Sequence, residues 1–314
     1  MRPFSNPKTR WLVLALKMLI GVFFLVSAVA KLADMDRFEV YVFSFQWFSL
    51  GMAFLVARLV VVCELLLGLG LLVNVANRWV HGCTILMLTG FTLFLGYTIL
   101  VGRNESCQCM GALVEISPAW SLLKNAVLLL LMVPVCRLEP WPWRPRWFVW
   151  LPAVLAPLVV VFVVSVPDNW RFRPDATSYA DSNPFSTALQ TDSVLDGLQL
   201  RQGHQAVLFL TPGCRFCQMA DQKLQTIAQR NRLDPAAVHY VIPAGAALPP
   251  GTTAEQYYSH PAVQLSDSVF MQITHGMRPL LFLVEDGHVM SVSHYRNMDE
   301  GQIVRFLPSA SDVR

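Results

Sequence analysis

Two cysteine pairs have the spacing that thiol-disulfide chemistry uses. Cys214-Arg215-Phe216-Cys217 is a CxxC and Cys107-Gln108-Cys109 is a CxC, while Cys63, Cys83 and Cys136 each stand alone in apolar sequence. The CxxC follows Ala206-Val207-Leu208-Phe209-Leu210, a run suited to a buried strand, and the turn residues Thr211-Pro212-Gly213. Helical periodicity then runs from Gln218 to Gln229. The pair therefore sits at a strand-to-helix junction, where backbone amides and the dipole of a helix start stabilise a thiolate. Cys214 is the expected nucleophile. One turn later, Cys217 faces the same way and is placed to attack a mixed disulfide on Cys214. The rival readings are an inert bridge and half of a zinc site, and no second CxxC or CxxH follows to complete the latter. No metal is expected, and His204, His239, His260, His275, His288 and His294 show no ligand spacing; they are assigned to surface and core. A CxC disulfide closes a small strained ring, and strained bridges are the more oxidising ones. A static bridge or unpaired thiols are the alternative there. Cys63, Cys83 and Cys136 read as packing residues, and the competing reading makes Cys83 and Cys136 entry points for reducing equivalents.

Ionisable residues inside apolar runs are a second chemical signal, because each costs about 2.5–3.5 kcal/mol near the middle of a bilayer. Arg58 and Glu64 are six residues apart, roughly 120° around a helix. They do not share a face, so cross-helix partners are expected. Lys31, Arg58 and Lys124 fall toward the same ends of their helices as the CxC loop, where they would stabilise a thiolate or an anionic quinone form. Structural pairing and snorkelling to the interface are the other reading.

The elements that carry these residues belong to two solvents. Of 314 residues 54% are hydrophobic and 14% charged, with a mean hydropathy of +0.45, a membrane composition. Five stretches are long enough to cross the hydrocarbon core as helices: about 11–33, 50–73, 79–101, 119–136 and 147–166. Arg2, Lys8, Arg10, Arg78, Arg137, Arg144 and Arg146 fall on one side and Arg37 and Arg103 on the other, which places the amino terminus in the cytoplasm. Everything after residue 167 then lies outside. Ala28-Val29-Ala30 also resembles a signal-peptide cleavage site, a reading that leaves the outer placement unchanged. Phe38, Tyr41, Phe43, Phe45, Trp47 and Phe48 suit an interfacial aromatic belt.

The expected organisation is a transmembrane domain over 1–166, a Pro-, Asp- and Ser-rich linker over 167–184, and a water-soluble domain over 185–314. In the last, Val238 to Ile242 reads as a second strand. Leu280 to Val284 and Val289 to Val292 read as a hairpin about Asp286-Gly287, and a helix lies near 299–307. The fold class is thus an α-helical membrane bundle of about five helices followed by an α/β domain with a mixed sheet. The net charge of +3, with no basic patch interleaved with aromatics, argues against nucleic acid.

Over about residues 190–310 the strand Val207 to Leu210, the Cys214-Arg215-Phe216-Cys217 motif and Met277-Arg278-Pro279 before the Leu280 strand resemble the thioredoxin superfamily. The resemblance implies a cis proline at Pro279 beside the cysteines, with Arg278 and Pro279 binding substrate. Two features depart from it. Leu208 stands where thioredoxin has a buried aspartate, and the stretch from about 244 to 268 is longer and more polar than a minimal member needs.

Over about residues 11–136, Ser27, Lys31, Asp34 and Phe38, then Glu64-Leu65-Leu66-Leu67-Gly68, Cys107-Gln108-Cys109-Met110-Gly111, Ser117 and Lys124-Asn125 resemble the MauE/DoxX-like membrane family. That resemblance implies a four-helix core with extracytoplasmic cysteines linked to disulfide formation in an exported enzyme. The expectation is a multi-pass protein of the bacterial cytoplasmic membrane. The charge count puts the CxC loop on the same outer side as the tail, so the periplasmic CxxC would exchange disulfides with exported thiol proteins and be reset by Cys107 and Cys109, with no covalent cofactor and electrons passing to a membrane quinone. Two alternatives stay open: an outward reductant relay from cytoplasmic thioredoxin, and a non-catalytic assembly or metal-delivery factor.

Overall fold

The computed structural model describes residues 7–73, 78–103, 117–137, 147–171, 184–198, 200–248, 258, 260 and 262–310. The chain divides into two compact units: Met1–Tyr41 with Leu55–Val166, and Val42–Phe54 with Pro167–Arg314.

The first unit is helical. It comprises α1 (Pro7–Ala33), the start of α2 (Met35–Ser44), most of α3 (Leu50–Leu72), α4 (Arg78–Leu100), α5 (Pro118–Arg137) and α6 (Trp147–Val164). Trp11–Ala33, Leu50–Leu72, Arg78–Leu100 and Pro118–Arg137 are each long and apolar enough to cross a membrane. The expected fifth span is shorter. α6 has 18 residues, about 27 Å against a hydrocarbon core of about 30 Å, and carries Pro152 and Pro157. Four to five apolar helices make this a multi-pass membrane protein.

Inside a bilayer, helices associate by close packing rather than by escape from water. Gly21 of α1 and Gly68 of α3 meet in this way: a Cβ on Gly21 would lie 3.0 Å from the Gly68 carbonyl, and one on Gly68 would lie 3.0 Å from that of Gly21. Val13, Ile20, Phe24, Leu67, Leu71, Leu88, Leu128 and Met132 fill the core around this approach.

The second unit holds a five-stranded sheet in the order β3-β2-β1-β4-β5: β1 (His204–Phe209), β2 (Val238–Pro243), β3 (Ala262–Leu265), β4 (Leu280–Glu285) and β5 (His288–His294). β1, β2 and β3 run parallel; β4 and β5 are antiparallel to their neighbours. Its helices are α7 (Asp168–Arg171), α8 (Phe185–Thr191), α9 (Ser193–Asp196), α10 (Arg215–Asn231), α11 (Asp267–Thr274) and α12 (Glu300–Phe306). Alternation along the strands sends Val207, Phe209, Val241 and Phe282 to one face, where they pack with Phe185 of α8 and Phe270 of α11. Residues of the other parity face α10, as the 2.7 Å hydrogen bond from Tyr240 Oη to Asp221 shows. The strands and helices read from the sequence are present, and the topology is that of a thioredoxin-like domain.

Three expectations change. The linker read over 167–184 begins with α7, whose Asp168 is buried; residues 172–183 lie outside the described residues. The polar stretch at 244–268 contains β3, four residues long. The aromatic segment is not a simple belt, because Phe38, Phe43 and Phe45 are buried and only Trp47 is strongly exposed.

Candidate functional site

The register of β1 against β4 builds the site. Phe209 pairs with Leu280, so the next residues, Leu210 and Thr211, lie alongside Pro279 and Arg278. Arg278 Nη1 accordingly donates to Thr211 Oγ1 at 3.2 Å, and the Arg278–Pro279 peptide is cis. After β1 the chain turns sharply: Cys214 N donates to Thr211 O at 3.3 Å around Gly213, whose φ of +74° a β-carbon would strain. On the facing side, α11 ends in two left-handed residues, His275 (φ 49°) and Gly276 (φ 76°), which aim Met277 and Arg278 at the same place.

Cys214 is the N-cap of α10. Its Sγ accepts a hydrogen bond from the Cys217 amide at 3.3 Å, occupying one of the helix's unpaired first-turn donors. Such a donor stabilises charge on sulfur. Cys214 is half-buried, whereas Cys217 is fully buried and its Sγ accepts from Thr211 N at 3.4 Å. Burial pushes the Cys217 thiol up, as does its hydrogen bond with Cys214; the Thr211 amide and the Arg278 cation act weakly the other way. The pair is thus asymmetric, with one accessible, amide-capped sulfur and one buried sulfur that holds its proton. Leu208 is fully buried, so no carboxylate stands at that position.

The sequence did not reveal what stands behind α10. Lys223 is buried, donates to the Tyr295 carbonyl at 3.1 Å, lies 3.8 Å from the Tyr295 ring centroid and 5.1 Å from that of Phe54, and sits 3.9 Å from Asp168. Arg296 pairs with the same Asp168 at 2.9 Å. Tyr295 stacks in turn against Phe216, with centroids 5.6 Å apart, and its hydroxyl reaches Met219 Sδ at 3.7 Å. Phe216, Met219 and Lys223 are spaced i, i+3, i+7, one face of α10, so the helical period was the available signal.

In the membrane unit the expected charge cluster divides, with Arg58 engaged apart from the Lys31–Glu64 pair. Lys31 Nζ donates to both Glu64 oxygens at 2.8 and 3.0 Å and to Ser27 Oγ at 2.6 Å, and Ser27 Oγ donates to Glu64 at 3.2 Å. Arg58 instead donates to Glu39 at 2.5 Å and to the carbonyl and hydroxyl of Ser165. Lys124 Nζ lies 4.8 Å from the Phe23 ring centroid. Arg58 and Glu64 do have cross-helix partners; a single cationic cluster is not present among the described residues. Cys63, Cys83 and Cys136, expected as packing residues, are exposed on their helices. Lipid rewards an apolar exterior as well as an apolar core, so an apolar residue type does not tell the two apart. Cys107 and Cys109 lie outside the described residues.

A half-buried, amide-capped cysteine above a buried one, beside a cis proline in a thioredoxin-like sheet, on a chain with a multi-pass helical region, defines the class: a membrane protein carrying a thioredoxin-like domain. Residues 9–138 match the family model described as "Methylamine utilisation protein MauE". The match bears out the MauE side of the resemblance; DoxX it does not show. Among curated proteins, "Protein TlpB" of Flavobacterium psychrophilum is 23% identical over a 273-residue alignment covering 71% of this chain and 74% of the relative. No solved structure matches the chain.

Proposed function

We propose that this protein is a membrane-bound thiol-disulfide oxidoreductase whose working pair is Cys214 and Cys217. The observation that carries the reading is the Cys217 amide donating to Cys214 Sγ at the start of α10, with the Cys217 sulfur buried behind it. In the oxidising direction a client thiolate attacks Cys214 of the disulfide form, and Cys217 leaves and takes up a proton. A second client thiolate then attacks the client sulfur of the mixed disulfide, releasing Cys214. The client gains a disulfide and the tail becomes a dithiol. Arg278 and Pro279, aligned with Thr211 by the β1–β4 register, hold the client backbone.

The tail dithiol is reset by exchange with a Cys107–Cys109 disulfide. The resulting Cys107–Cys109 dithiol passes two electrons and two protons to a membrane quinone, forming quinol and restoring the bridge. Of the residues expected near that step, Lys31 and Glu64 with Ser27 are the set able to hold or move a proton; Arg58 is engaged by Glu39 and Ser165. The basic residues at 2–10, 78 and 137–146 support a cytoplasmic amino terminus and a periplasmic tail. The partners are then exported thiol proteins, the lipid bilayer and a quinone. Replacing Cys217 by Ser leaves Cys214 as a lone thiol that attacks client disulfides and has no internal partner to release it, so reductant-sensitive mixed disulfides through Cys214 are expected to accumulate in cells; a variant that captures no protein contradicts the assignment.

A further inference from the structure

The three segments that frame the cysteines are residues 211–220, residues 271–279 and residues 293–297. They contain Arg215, Arg278 and Arg296 and no aspartate or glutamate of their own; Asp168 of α7 engages Arg296, which leaves Arg215 and Arg278 as the cations beside the cysteines. Arg215 and Arg278 are exposed, one on the first turn of α10 and the other next to the cis proline. Exposed apolar side chains lie between and beside them: Phe216 is 41% exposed, Met277 41% and Met271 50%. Phe216 is a prepared surface rather than a loose side chain, since Tyr295 backs its ring and Tyr295 is itself anchored by Lys223. The nucleophile therefore opens onto an apolar floor flanked by two cations.

From this we infer the client's chemistry, resting on the thiol-disulfide reading above: the protein selects cysteines flanked by acidic and apolar residues, with Arg215 and Arg278 receiving the acid and Phe216 and Met277 the apolar side chain. The partner is a protein segment, because Phe216 lies two residues from Cys214 and so meets side chains within a residue or two of the client cysteine. Charges at the rim of an interface act mainly on the rate of encounter and are screened by salt. The preference must therefore appear as a salt-sensitive rate.

The test uses the full-length reduced protein in detergent and three peptides, identical except for Glu, Gln or Lys on both sides of a single cysteine, which is capped as a mixed disulfide with 5-thio-2-nitrobenzoate. The Cys214 thiolate attacks the peptide sulfur, the bond to the cap breaks, and the coloured thiolate leaves. Release is expected to be about tenfold faster from the Glu than from the Lys peptide at low salt, with the ratio falling toward one at 0.5 M NaCl. Arg215→Glu combined with Arg278→Glu should invert the order of the two peptides. Equal rates for the three peptides, or a ratio indifferent to salt and to the charge reversal, overturn the client assignment while leaving the oxidoreductase reading intact. Absence of release from every peptide refutes that underlying reading instead.

Discussion

At the residue scale the two sulfurs divide the chemistry by environment. Cys214 is reachable and meets a backbone donor, whereas Cys217 is sealed in and its thiol is pushed up by burial. In the reducing direction a mixed disulfide on Cys214 is resolved by the Cys217 thiolate, and burial keeps that thiolate scarce at neutral pH. Resolution should therefore accelerate about tenfold per pH unit from pH 6 to 9, as expected for one deprotonation well above neutrality. Stopped-flow release of a client from the mixed disulfide measures this, and a flat profile contradicts it. Arg278→Gln removes a cation that favours the Cys217 thiolate, so it should slow resolution at pH 7 further. Much of this was legible in the sequence, because a strand, a turn and a CxxC before a helical period have one geometric outcome. The Lys223, Asp168, Tyr295 and Arg296 group was not. Its members are joined by contacts that span 55, 72 and 128 residues, which periodicity does not encode.

At the scale of elements, the membrane helices are held by close backbone packing and by buried ion pairs. Breaking a buried pair by removing one partner leaves a charge uncompensated. Glu64→Gln should cost about 3 kcal/mol of stability, and Lys31→Met with Glu64→Leu should recover most of it. Unfolding in mixed micelles reads both, and equal losses in the single and double variants would show that the Lys31–Glu64 contact is not what matters. The need for a partner to Glu64 was visible in the sequence, since the residue sits in an apolar run. The partner's identity needed the pairing of α1 with α3. Glu39 was invisible as the partner of Arg58, because its segment reads as aromatic.

The sheet domain has its own titration. Burial lowers His239, His260 and His294 below the ordinary histidine value of 6.5, with Asp221 opposing it at His260 and Asp168 at His294. The unfolded chain therefore binds more protons than the folded one in acid. The stability these residues contribute is complete above pH 6.5 and is lost as pH falls below it. The melting temperature of the second unit should drop between pH 7.5 and 5.5, and His239→Gln with His260→Gln should flatten that dependence. β3 was missed for a physical reason as well. Four residues at a sheet edge, Ala262-Val263-Gln264-Leu265, are too short to show a period against polar neighbours.

At the scale of the molecule, one chain joins membrane helices that match MauE to a thioredoxin-like domain, and the proposed relay depends on cysteines in both. Changing Cys107 and Cys109 to Ser should leave Cys214 and Cys217 locked in a single redox state in cells, read by alkylation after acid quenching. Unchanged turnover would remove the relay but not the chemistry of the CxxC. That chemistry is the central claim, and a redox titration of the full-length protein tests it most directly. Equilibrated with dithiol–disulfide buffers from about −120 to −320 mV, Cys214 and Cys217 should interconvert as one two-electron couple, tenfold per about 30 mV. The transition should vanish in Cys214→Ser. A pair that stays wholly oxidised or wholly reduced across that range would mark it as an inert bridge or an idle dithiol and contradict the account.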